Sequence, residues 1–226
     1  VRDAARSDWI NGVSHDIRTP LSVVMGYAAQ LENARDLAPE HRRRATAIRA
    51  QSQVIRDLVN DLNLTMRLDC EMQALRKEPL QPATFLRQIA ADFLNGGMAD
   101  GFAFEMELPQ TPLPEIEADP FLLRRAVNNL LVNCVRHNEP GCLIRMGAGT
   151  QGRTLVLWVE GGITAEKGSA AESEPPAFSR PLEPDGGAAH GTGLRLVAQI
   201  AAAHGGKAEF RSGTPFRCEL RLPVKG

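Results

Sequence analysis

Residues 14–21 read Ser-His-Asp-Ile-Arg-Thr-Pro-Leu, which sets an imidazole beside a carboxylate and one helical turn from a hydroxyl. A neutral imidazole on an open surface is a competent nucleophile towards a phosphoryl group, with Asp16 as its hydrogen-bond acceptor or base. Pro20 removes a helical hydrogen bond and frees the Asp16 carbonyl, so a local kink is expected beside His15. An exposed histidine on a charged helix face would give the same local pattern. A second group, Asn129, Asn133, Arg136 and His137, recurs at spacings of three and four. That forms one polar stripe along a helix whose opposite side is Leu123, Val127, Leu130, Leu131 and Cys134. A pair of surface amides is the plain alternative. A third, His190-Gly191-Thr192-Gly193-Leu194, opens the last helical stretch, where backbone N–H groups and the helix dipole suit a phosphate. A flexible turn is the competing reading of those glycines.

The elements that must carry these groups follow from periodicity. Ile10, Ile17, Val24 and Leu31 recur at sevens, which predicts a long amphipathic helix from Asp8 to about Glu32. Counted from Ile17 at 100° per residue, His15 lies about 160° away from that stripe, facing solvent. After Ala38-Pro39-Glu40, the sevens of Ile48, Ile55 and Leu62 predict a second helix to about Arg67. A two-helix hairpin has too few faces to bury both stripes, so two copies are expected to form a four-helix bundle. Beyond Lys77-Glu78-Pro79 the signals mix. Helices are predicted at Phe85–Leu94, Pro120–His137 and Gly193–His204, and strands at Phe102–Leu108, Leu143–Ala148, Thr154–Val159, Ala208–Arg211 and Phe216–Leu222. Residues 164–190, rich in Ala, Ser, Glu, Pro and Gly, are expected to be a mobile loop.

The fold class expected is therefore α+β: a helical hairpin over residues 1–72, then an α/β two-layer sandwich over residues 73–226. In 226 residues, 26 basic side chains face 27 acidic ones, for a net charge of −1. That excludes the basic excess of a general nucleic-acid binder. The cysteines, Cys70, Cys134, Cys142 and Cys218, contain no C-x-x-C pair and predict reduced thiols. No segment has the roughly 20 consecutive apolar residues of a membrane span. A chain that lacks an initial Met and enters a helical pattern at once is expected to be a fragment of a longer protein.

Residues 14–21 resemble, without a departure, the phosphoacceptor box S-H-[DE]-[IL]-[RK]-T-P-L of sensor histidine kinases. Asn129 to His137 is similar to the N box of the same kinases, with Cys134 in place of a common Ala. His190 to Leu194 resembles their second glycine box, and His204-Gly205-Gly206 with the closing strands continues the likeness over nearly the whole chain. The resemblance implies autophosphorylation of His15 from ATP and transfer of the phosphoryl group to an Asp of a response regulator. Asp16 would assist as acid or base, and Thr19 would position water for the reverse dephosphorylation. Asn133 would hold Mg²⁺ through its carbonyl oxygen. Asn129, Arg136, His137, Gly191, Thr192, Gly193 and Leu194 would contact the nucleotide, and residues 164–190 would be the ATP lid. The implied partners are a second copy and a receiver domain, without nucleic acid. The implied location is the cytoplasmic part of a bacterial inner- or plasma-membrane sensor, whose membrane segment would lie upstream.

Two departures accompany the likeness. The family's D-x-G-x-G box supplies an Asp for the adenine amino group, whereas this chain reads Leu157-Trp158-Val159-Glu160-Gly161-Gly162-Ile163, with Glu160 and Gly162 as the candidate contacts. Arg195 stands where the second box has Gly. An alternative is therefore a degenerate kinase with weak ATP binding that acts mainly as a response-regulator phosphatase or docking partner. Related chaperone and mismatch-repair ATPases carry a Glu at the place of Asn129 and lack the phosphoacceptor helix, so they rank behind both.

Overall fold

The computed structural model describes residues 2–34, 37–69, 74–163, 180–182, 192–211 and 215–224. The chain divides into two compact units, Val1–Gln73 and Ala74–Gly226.

The first unit is a hairpin of α1 (Arg2–Asn33) and α2 (Pro39–Asp69). Pro39 fits the first helical position of α2, where a missing N–H costs nothing. Helix α1 begins six residues before the predicted start and continues through Pro20. With 32 residues it is about 48 Å long. The contact between the two helices uses small side chains, Ala28 and Ala45 being almost fully buried, and Arg49 pairs with Glu32 across it at 2.7 Å. The heptad stripes are left outside: Ile17 is 38% exposed, Leu31 and Ile55 46%, and Ile48 47%.

The second unit has two layers. A six-stranded sheet has the order β2 (Ala103–Glu107), β4 (Leu143–Gln151), β5 (Thr154–Ile163), β8 (Phe216–Pro223), β7 (Lys207–Arg211), β6 (Arg180–Leu182). The β2–β4 pair is parallel and the others are antiparallel. Strands β1 (Glu78–Leu80) and β3 (Ile116–Ala118) form a separate antiparallel pair. Helices α3 (Pro82–Asn95), α4 (Pro120–His137) and α5 (Thr192–Ala203) supply the second layer. The core lies between them: Leu122, Leu123, Leu130 and Leu131 of α4 and Leu196 and Ile200 of α5 are buried with Ile144, Met146, Leu157 and Leu220 of the sheet. Gly206 makes the α5–β7 turn possible, since a methyl there would lie 2.1 Å from the Arg221 carbonyl oxygen.

Three elements depart from the sequence reading. Strands β1 and β3 are three residues each and have no pattern apart from their partner. Within residues 164–190, expected to be a mobile loop, Arg180–Leu182 pair with β7 as β6; residues 164–179 and 183–190 lie outside the described residues.

The sheet's other face is ionic. Cross-strand register aligns Glu105, Arg145, Glu160, Arg217 and Arg211 in one row, and Gly147, Trp158, Glu219 and Glu209 in the next. Trp158 packs against Gly147, where a methyl would be 2.5 Å from the indole, and the Arg217 guanidinium lies 4.2 Å from the centre of the Trp158 ring. Among the described residues Cys134, Cys142 and Cys218 are free thiols, and burial pushes Cys134 up to about 12. Cys70 lies outside the described residues.

Candidate functional site

In the first unit, His15 falls in α1 one turn before Thr19, with Asp16 and Thr19 both exposed. The expected outward direction of the His15 imidazole concerns a side chain outside the described set.

In the second unit the site is built on α4. Asp119 caps it, accepting from the Leu122 N–H at 3.1 Å, with Pro120 in the first turn. The apolar stripe then faces the sheet, which turns Asn129 and Asn133 towards the start of α5. The two helices meet there through Gly193. A methyl on Gly193 would stand 3.4 Å from Asn129 Oδ1 and 3.6 Å from Asn133 Nδ2. The Asn129 Nδ2 group is buried and finds no hydrogen-bond partner among the described residues. An orphaned donor beside a glycine at a helix N-terminus suits a ligand rich in acceptor oxygens. Arg136 and His137 lie exposed one turn further along α4. Leu194 is half-buried; the Thr192 side chain and Gly191 lie outside the described set.

Strand β5 reaches the same end of α4. Gly161 lies under it, where a methyl would be 2.7 Å from Cys134 Sγ and 3.0 Å from Asn138 Nδ2. Asn138 in turn donates to the Cys134 carbonyl at 2.7 Å, closing the helix end. The β4–β5 register shifts here, and Gly162 at φ 80° provides the bulge.

Glu160 is a correction to the sequence reading. Adjacent residues of a strand point to opposite faces, and Gly161 faces α4, so Glu160 faces away from it. Its carboxylate lies 3.1 Å from Arg211, 3.7 Å from Arg145 and 3.9 Å from Arg217, in the ionic row. The residues that β5 presents to the helices at this end are Leu157, Val159 and Gly161, none with a side-chain acceptor. The fold therefore brings Asn129, Asn133 and Gly193 together, seats Gly161 against Cys134 and Asn138, and sets Glu160 among the arginines of the other face.

A second group was not legible from spacing. His204, at the end of α5, accepts from the Asp119 N–H through Nε2 at 3.0 Å, and its Nδ1 lies 2.7 Å from the Ile200 carbonyl oxygen. Asp119 Oδ2 accepts from the Arg76 N–H at 2.9 Å. Because Nε2 accepts and Nδ1 faces a carbonyl oxygen, these bonds require the neutral ring with its proton on Nδ1, and burial, which lowers the imidazole from its ordinary 6.5, acts in the same direction. The only sequence signals were Asp119 as a cap and His204 before two glycines, 85 residues apart.

Among the described residues no helix is long and apolar enough to cross a membrane, and no three His, Cys, Asp or Glu side chains form a metal cluster. Residues 5–71 match the His Kinase A (phospho-acceptor) domain, and residues 118–225 match the histidine kinase-, DNA gyrase B- and HSP90-like ATPase family. The sensor histidine kinase YvrG of Bacillus subtilis is 28% identical over 98% of this chain and 39% of its own length. The alginate biosynthesis sensor protein KinB of Pseudomonas aeruginosa is 30% identical over 98% of this chain and 38% of its own. The chain thus spans about two fifths of the curated relatives it matches. The structure of full-length ShkA in complex with AMPPNP is similar at a TM-score of 0.67 and 25% identity, over 97% of this chain and 47% of that one.

Proposed function

The chain belongs to the histidine kinases, with the family's phospho-acceptor domain in its first unit and its ATPase domain in its second, and from that premise we propose that it phosphorylates His15 with ATP and passes the phosphoryl group to an Asp of a response regulator's receiver domain. An imidazole nitrogen of His15 attacks the γ-phosphorus, the bond to the β,γ-bridging oxygen breaks, and ADP leaves. Asp16 holds the imidazole proton, and Thr19, one turn away, orients the water that reverses a regulator's phosphorylation.

The observation that carries the reading is the close approach of Gly193 to Asn129 and Asn133, with the buried Asn129 Nδ2 donor finding no hydrogen-bond partner among the described residues. These residues fit a triphosphate and its cation. Asn133 supplies an amide oxygen, which suits Mg²⁺, and the α5 N-terminus and Arg136 supply positive charge for phosphate oxygens. When bound, Mg²⁺ neutralises charge on the phosphates. Titration calorimetry with Mg²⁺ and ATP tests it: wild type should bind and Asn133→Ala should bind at least tenfold more weakly. Equal affinity would remove Asn133 from the site.

One observation favours the degenerate alternative in part. With Glu160 among arginines, no carboxylate meets an adenine amino group from β5. A missing buried hydrogen bond costs ~1–3 kcal/mol, about ten- to a hundredfold in affinity. We therefore place ATP binding as retained but weakened; submicromolar affinity in wild type would reject that part. Binding in the millimolar range or absent would favour the phosphatase or docking reading.

The dimer follows from α1 and α2. Ile17, Val24, Leu31, Ile48, Ile55 and Leu62 are all more than a third exposed in the single chain, although their heptad spacing is that of a packed seam. A second copy covers them in a four-helix bundle. Light scattering should give twice the chain mass at micromolar concentration, and a monomer with both helices intact by circular dichroism would refute it.

A further inference from the structure

We infer that His204 is a positioning residue for the nucleotide cleft, a neutral latch that pins the far end of α5 to the N-cap of α4 and so sets Gly193 against Asn129 and Asn133. The inference rests on reading that cleft as the nucleotide site. Its basis is a continuous run of hydrogen bonds at the end of the helix pair remote from the cleft. His204 Nε2 accepts from the Asp119 N–H at 3.0 Å, the Asp119 carboxylate holds the Leu122 N–H at 3.1 Å and the Arg76 N–H at 2.9 Å, and His204 and Asp119 are both buried. Both helices that form the cleft start or end at this junction. So does the segment entering the second unit, since Arg76 follows its first residue, Ala74, by two.

Geometry makes the junction a pivot. Gly193 lies about 16 Å along α5 from His204, so a rocking of about 10° at the latch moves Gly193 by about 3 Å. The cleft has no such slack, with Asn129 Oδ1 and Asn133 Nδ2 3.4 and 3.6 Å from a methyl on Gly193. The latch also has a specific protonation requirement. Nδ1 is committed to the Ile200 carbonyl, so Nε2 can accept from Asp119 only while it carries no proton. The charged groups facing the ring are Lys77, before β1, and Asp119. Lys77 and burial oppose the imidazolium, while Asp119 and the Ile200 carbonyl favour it, burial being the largest influence. A second proton sets two donors, Nε2–H and the Asp119 N–H, against each other and opens the junction.

The test uses the full chain and compares wild type with two variants of one side chain. His204→Gln retains an acceptor for Asp119 without titrating; the Ile200 carbonyl stays bonded to the residue 204 backbone N–H. His204→Ala removes the acceptor. At pH 7.5, His204→Gln should bind ATP within threefold of wild type and His204→Ala at least tenfold more weakly. Between pH 7.5 and 5, wild type should lose about tenfold in affinity relative to His204→Gln. In nucleotide-free protein, the ¹H–¹⁵N amide signals of Asp119 and Gly193 should titrate together with one midpoint below 6.5, and both should stay flat in His204→Gln. A Gly193 amide that ignores the Asp119 transition, or parallel pH profiles for wild type and His204→Gln, would overturn the latch. Failure of wild type to bind ATP at any pH would overturn the nucleotide reading instead, and the amide titration would still decide the latch.

Discussion

Replacing His15 by Gln should abolish acid-labile, base-stable labelling of the protein by radioactive ATP while leaving nucleotide affinity unchanged. Glutamine keeps the size and polarity of the position but offers no nitrogen lone pair of imidazole basicity, so the phosphoryl group has no acceptor. Affinity should be preserved because His15 belongs to the first compact unit, whereas Asn129, Asn133 and Gly193 belong to the second. The expected loss is the whole signal, at least a hundredfold against background. Chemical stability distinguishes the product, since phosphohistidine is lost in acid and retained in base while a phosphoserine behaves oppositely. Equal labelling in His15→Gln would assign the acceptor role elsewhere. A parallel fall in ATP affinity would mean that the substitution had damaged the second unit, and the labelling would lose its meaning as a map of the acceptor.

Glu160→Gln should be the most destabilising conservative change in the second unit and yet leave ATP affinity within twofold. The Glu160 carboxylate is 9% exposed and lies among Arg211, Arg145 and Arg217, whose side chains are only 18–24% exposed. Removing its charge leaves three guanidinium groups without their common counter-ion. Breaking a buried pair from one side typically costs about 3–5 kcal/mol, and the partial exposure of these arginines moves the expectation below that range, to about 2–3 kcal/mol. Glu105, Glu107 and Glu219 also touch Arg145 and Arg217, so the cluster keeps some compensation. Denaturant unfolding would show a lower midpoint with unchanged slope, and calorimetry on the folded protein would report the affinity. An affinity loss of tenfold without loss of stability would return Glu160 to the nucleotide site and contradict the face assignment of β5.

These two expectations rest on different kinds of information. The His15 group was legible because its neighbourhood is local: the proposed acceptor, its acid neighbour, Thr19 and Pro20 fall within six consecutive residues on one helix. The heptads that place that helix are visible without a tertiary partner. The same holds for α4, where a 3.6-residue period separates Asn129, Asn133, Arg136 and His137 from the leucines that bury the helix. Helix α5 and the closing strands were also legible, because Gly205 and Gly206 stop the helix and the alternation that follows has period two.

The direction of Glu160 was not legible. Residues 155–159 read Leu-Val-Leu-Trp-Val, apolar on both faces, so alternation alone does not say which side of β5 meets the helices. Only the sheet decided it, by pairing Glu160 with Arg145 and Arg217 and by seating Gly161 beneath Cys134. Strands β1 and β3 escaped notice for a related reason: three residues carry no period, and their partner supplies the stabilisation. Asp119 and His204 are each ordinary at their own positions, a helix cap and a residue before a glycine turn. Their hydrogen bond spans 85 residues, and it exists because α4 and α5 pack on the same sheet face with the end of one at the beginning of the other. Local chemistry and periodicity thus determined which residues could act, while long-range pairing determined which of them meet, because side-chain direction in a sheet and contact between helix ends depend on partners distant in the chain.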